Sequence, residues 1–189
     1  MKVANAKLLK ALQIATVSLL AIAATQAEAG VKFRVAYNPV NGIYSLFMKP
    51  DTVPTPDLLL SSQVTLVVPH RATPIELTNV KTTVTNATWM QHSRVNAPTE
   101  NTSADYISIG YFIGGSAPKF SWAANTEKRV FTFTSSQGCI AGLKLMENSD
   151  PFNQMPNSVG TNPGNEITNY GWGMSNAYTG NYGTAVTCP

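Results

Sequence analysis

Charge is scarce in this sequence: Asp, Glu, Lys and Arg make up 12% of its 189 residues. Thr, Asn, Ser and Gly fill the places they leave, a balance common in exported β proteins and uncommon in cytosolic helical enzymes. After the first residues there is no helix-period stretch, no coiled-coil heptad and no clear internal repeat, which argues against bundles and repeat arrays. No lysine- or arginine-rich run occurs beyond the N-terminal segment, so neither nucleic acid nor anionic lipid is an expected partner. A Gly-x-Ser-x-Gly nucleophile elbow is missing, and so is an EF-hand loop. An enzyme is therefore not expected.

What is present begins with a targeting pattern. Lys2, Lys7 and Lys10 form a basic start, Leu12–Ala24 an apolar run, and Ala27-Glu28-Ala29 a small-residue cleavage site. The apolar run is short for a bilayer span. Residues 1–29 are expected to be a removed signal peptide and residues 30–189 a single domain, with no transmembrane segment after processing. Three of the thirteen basic residues and one of the ten acidic ones fall in the leader, leaving a nearly neutral chain of about +1. Export leads to an oxidising space, where the only two cysteines, Cys139 and Cys188, are expected to pair. That bond would close a loop of about 50 residues, worth about 4 kcal/mol.

Period-two alternation marks the strands. Val31, Phe33, Val35 and Tyr37 alternate with Lys32, Arg34 and Ala36, and the Asn41-Gly42 turn leads into Ile43–Met48. Further strands are expected around Val64–Val68, Ile75–Leu77, Val80–Val84, Ala87–Gln91, Asp105–Phe112 and Val130–Thr134, then Ile140–Met146 and a last one at Thr184–Thr187. About nine short strands separated by turn residues predict an all-β fold, a single antiparallel β-sandwich of jelly-roll type with one disulfide.

Several short blocks occur in a suggestive order: Val64–His70, Thr88–Pro98 with Trp89, Asp105–Gly110, Gly138-Cys139, Asn148–Phe152 and Asn157-Ser158. Together they resemble a family of exported bacterial proteins with a cohesin-like β-sandwich domain. The resemblance implies a sandwich at the cell surface or in the extracellular matrix that holds other molecules together. It brings no catalytic residues. A dockerin segment or repeated module, the usual companion of a cellulosomal cohesin, is missing from the chain.

Four residue sets are candidates for a site. Glu147, Asn148, Asp150 and Asn153 form an oxygen-rich loop of the kind calcium accepts, with an Asx turn as the alternative use of the same atoms. Tyr170, Trp172, Tyr178 and Tyr182 crowd a Gly/Asn-rich tail, either as a polysaccharide-stacking platform or as rings closing the end of the sandwich. His70 and His92 are the only histidines, and Glu76, Glu100, Asp105, Glu147 and Asp150 the carboxylates from which a glycosidase pair would have to come. Val31, Phe33, Val35 and Tyr37 form a strand that export would free at one end, able to pair at home or lie along a neighbour's edge. The expected function is that of a secreted, non-enzymatic structural or adhesive protein. It would bind copies of itself or other surface proteins, and self-association by strand addition would build filaments. The alternative is a carbohydrate-binding module using the Tyr/Trp tail.

Overall fold

A computed structural model describes residues 29–115 and 117–189, so all of the expected signal peptide except Ala29 lies outside the described residues. Alternation builds the first hairpin. Strand β1 (Val31–Asn38) buries Val31, Phe33 and Val35 and turns Lys32 and Arg34 outward. Strand β2 (Ile43–Pro50) buries Tyr44, Leu46 and Met48. Between them Gly42 sits at φ 69°, a backbone conformation that costs glycine nothing. The side chains of Asn38 and Asn41 accept from the N–H groups of Val40 and Ile43, fixing the turn.

The chain continues through β3 (Leu59–Pro69), β4 (Leu77–Thr82), β5 (Ala87–Asn96), β6 (Ala104–Ile113) and β7 (Lys128–Ser135). Three short strands follow: β8 (Lys144–Leu145), β9 (Glu166–Asn169) and β10 (Tyr178–Asn181). One sheet has the order β10-β1-β2-β7-β4. The second runs β5-β6-β3, and β8 and β9 share the far side of β3. All pairings are antiparallel except that of β10 on β1. The two sheets pack face to face with Phe33, Leu46 and Phe131 from one against Leu66, Trp89 and Ile109 from the other. Trp89 and Phe131 meet across the layers at 4.9 Å. A second, smaller core lies on the outer side of the second sheet, where Phe152 covers Tyr106, Val67 and Met146.

The β-sandwich expectation holds, and several boundaries move. Ile140–Met146 is mostly turn, with only Lys144–Leu145 laddered onto β3, because Gly142 at φ 84° breaks the run. The strand expected at Thr184–Thr187 is not one. There only Val186 is tied, exchanging hydrogen bonds with Gly142 N–H and Leu143 O at 2.8 Å each. Strands β9 and β10 form instead, in a tail whose glycines and asparagines hide the alternation.

Cys139 and Cys188 are bonded, with their Cα atoms 5.8 Å apart and 49 positions of chain between them. Among the described residues no helix is long and apolar enough to cross a membrane. Serine at both cysteine positions should lower unfolding free energy by about 4 kcal/mol, the entropy that a loop of this length loses when closed. Denaturant titration of the double variant measures it, and an unchanged midpoint would contradict it.

Candidate functional site

The oxygen-rich loop serves the fold. Asp150 is buried, and its Oδ1 accepts from Phe152 N–H at 3.0 Å and from the Tyr106 hydroxyl at 2.8 Å. It thereby caps the short 3₁₀ turn Pro151–Asn153 and seats Phe152 on Tyr106. Burial, with Asp150 second, pushes the Tyr106 hydroxyl well above its ordinary range. Asn153 donates its amide to the carbonyl of Asn148 at 3.2 Å, and Glu147 is exposed. Asp150 displays the Asx-turn use, and among the described residues no three His, Cys, Asp or Glu side chains converge.

The tail aromatics part company. Trp172 is buried against Trp122 at 5.5 Å, with its Nε1–H donated to Thr52 O. Tyr178 is buried on Phe33 at 4.7 Å. Tyr170 is exposed, and Tyr182 lies half-buried beneath Lys49 Nζ, 4.7 Å from the ring centre. Two rings close the end of the sandwich and the other two face different surroundings, so the four present no common stacking platform.

The histidines are also apart in the fold. His92 is the extra residue of a bulge in β5, and its ring lies over Gly110, where an added Cβ would come within 2.8 Å of it. His70 follows β3 and pairs through Nδ1 with the fully buried Asp105 at 2.7 Å. Ala97 N–H also donates to that carboxylate, while Asp105 Oδ2 is buried without a partner. Ser103, whose carbonyl accepts from His70 N–H, points its hydroxyl at Asn101. The pair ties the end of β3 to the start of β6. Of the other carboxylates, Glu100 holds Ser158 and Glu76 lies 3.7 Å from Arg94.

In this structure strand β1 pairs at home, one of the two uses open to Val31, Phe33, Val35 and Tyr37. All eight of its residues pair with β2, and Val31–Phe33 also pair with β10. Val31, Phe33 and Val35 are core residues, so withdrawing the strand would expose them. An opening does exist on its second half. Val31 N–H donates to Ala177 O, and Phe33 O accepts from Tyr182 N–H, so odd residues of β1 direct their peptide groups to that side. The β10 ladder ends there, because the chain crosses to the second sheet and fastens Val186 to Gly142 and Leu143. A cleft of about 250 Å³ is left between Arg34–Tyr37 and Gly183–Thr187, with the peptide groups of Val35 and Tyr37 facing it.

The other open edge lies at the opposite margin of the sandwich. There β4 and β5 lie side by side, each terminal in its sheet. Strand β4 is interrupted between Thr78 and Lys81, with Asn79 at φ 53°, a common way of blunting an edge. Strand β5 is regular and free of charge from Ala87 to Gln91, before its bulge. Met90 is 45% exposed on it, and Phe112 and Ile113 of β6 are 41% and 51% exposed beside it. The β5 edge was not expected to serve as a site, since pairing partners many residues apart decide which strand is outermost, whereas Val35 and Tyr37 belong to the strand already singled out. The exposed Met90 and Phe112, outward in otherwise alternating strands, were the available signal.

No family model, curated protein or solved structure matches this chain.

Two consequences concern the tail. Burial raises the Tyr178 hydroxyl from its ordinary 10.0 to about 12. Its contribution to stability is whole below pH 10 and is lost as pH rises toward 12. Tyrosinate absorbance in alkaline titration should therefore contain a late step that coincides with unfolding, and removing this hydroxyl in Tyr178→Phe should reduce that step. A Cβ at Gly171 would come within 2.3 Å of Thr55 N and Pro56 O. Gly171→Ala should destabilise by roughly 1–3 kcal/mol, read as a lower Tm. An unshifted Tm would show that the tail docks more loosely.

Proposed function

We propose that this chain is a non-enzymatic structural or adhesive protein of the bacterial exterior that joins copies of itself through sheet edges. The observation that carries the proposal is the pair of open edges at opposite margins, β5 over Ala87–Gln91 and β1 over Val35–Tyr37. A regular, uncharged edge flanked by exposed apolar side chains is a template for another strand. Two different edges meeting make a heterologous contact, and a contact of this kind that does not close on itself propagates as a filament. The β5 edge of one copy would enter the cleft beside β1 of the next and satisfy the peptide groups of Val35 and Tyr37. This keeps strand addition while leaving β1 in its own sheet. The disulfide supports an oxidising compartment, and the cohesin-like resemblance agrees with a holding role outside the cell.

The test uses Thr88→Lys with Met90→Lys, which places charge on the β5 edge and leaves the inward Ala87 and Trp89 intact. Sedimentation velocity should show the parent protein assembling with concentration and the variant remaining monomeric. Mixed in small proportion, the variant should shorten parent assemblies, because its β1 cleft is intact and it can still add at one end. A parent that stays monomeric at every concentration, or a variant that assembles as the parent does, would overturn the proposal.

A further inference from the structure

The ten cations beyond the leader look dispersed in the sequence, yet strand register gathers half of them. On the outer face of the β10-β1-β2-β7-β4 sheet, Lys32 of β1 stands directly opposite Lys49 of β2. One row along, Arg34 is opposite Phe47, and Phe47 is opposite Arg129 of β7. A bulge between Leu46 and Phe47 in that ladder gives Arg129 its outward direction while the adjacent Val130 stays in the core. In the next row Lys81 of β4 is opposite Thr132, which is opposite Ser45. With strands about 4.8 Å apart and same-face residues about 7 Å apart, these five cations share a patch roughly 15–20 Å across.

Among the described residues, the carboxylates of Glu127 and Asp51 reach this face, and both are engaged. Glu127 accepts both arms of the Arg34 guanidinium at 2.9 and 2.8 Å, which holds its carboxyl below the usual range. Asp51, at the end of the face, accepts from Gly30 N–H at 2.9 Å. Lys32, Lys49, Lys81 and Arg129 have no carboxylate within ion-pair distance among the described residues. Like charges directly opposite on a strand pair cost stability, and Lys32 with Lys49 is such a pair. The face also carries Arg34 stacked 4.4 Å over Phe47 and Lys49 over Tyr182, so its aromatic rings present cations outward. Hydroxyls of Ser45 and Thr132 lie in the same row as Lys81.

We infer that this face binds an acidic polysaccharide, its carboxylates or sulfates lying across Lys32, Lys49, Lys81 and Arg129 and its sugar hydroxyls meeting the serine and threonine rows. A lattice of cations and hydroxyls complements an extended anionic chain in charge. The choice of polysaccharide over nucleic acid rests on the exterior location proposed above. Of the five cations only Arg34 lines the β1 cleft, so Lys32, Lys49, Lys81 and Arg129 stay open in a filament.

Binding is measured on the parent protein at a dilution where sedimentation shows monomer, so that assembly does not enter and no cation is added. Polygalacturonate and dextran sulfate should both bind, which distinguishes carboxylate from sulfate preference by their relative affinity, and neutral dextran should not. Lys32→Gln with Lys49→Gln and Lys81→Gln should weaken binding on the order of tenfold, with the Tm retained. Lys144→Gln, on the other sheet, should change nothing. Affinity should fall steeply with added salt. Equal binding of neutral dextran, retention of affinity in the triple variant, or equal or tighter binding of duplex DNA or of anionic phospholipid vesicles would each overturn the inference.

Discussion

The C-terminal tail changes sheets within a few residues, and the form of the molecule depends on that crossing. It pairs with β1 as β10, leaves at Tyr182, fastens Val186 to Gly142 and Leu143, and ends bonded to Cys139. The segment is thereby held between two layers. Before the crossing, Tyr178 completes the core beneath Phe33, and after it, among the described residues, no strand pairs with Val35 and Tyr37 on that side. The crossing also places Gly183 where a Cβ would stand 3.0 Å from the stem of Arg34, and Tyr182 under Lys49. One covalent bond thus anchors the segment that bounds the cleft and helps arrange the cationic face.

Polar side chains do much of the work that longer strands would do elsewhere. Asn165 donates to Met146 O and accepts from Thr65 N–H, and Thr65 donates to Pro163 O, joining the long loop to the middle of β3. Asn157 bridges Phe152 O and Thr161 O in the same way. Buried amides of this kind are favourable only when satisfied. That explains why a segment with so little regular structure packs a second apolar cluster onto the outside of the sheet.

Two surfaces with different physics result. The margins offer backbone hydrogen bonds and apolar side chains at β5, and a cleft at β1. The outer face of the first sheet offers charge and hydroxyls. Each is sensitive to different substitutions, and only contacts with the second would be strongly sensitive to salt.

By itself the sequence determined the all-β class, the β1–β2 hairpin and the disulfide. Alternation at Val31–Tyr37 and the Asn41-Gly42 turn are local signals, and two cysteines leave one pairing. It also showed the two uses open to Asp150, as cap or ligand. Only the tertiary structure decided that β1 is flanked on both sides at its start, that Trp172 and Tyr178 are core residues, and that β9 and β10 exist. Those outcomes depend on partners more than a hundred residues away, such as Val31 with Tyr178 and Ser62 with Ile167. The cationic face was hidden for the same reason. Lys32, Lys49, Lys81 and Arg129 are isolated in the chain and become neighbours through register alone, which no local pattern of charge encodes.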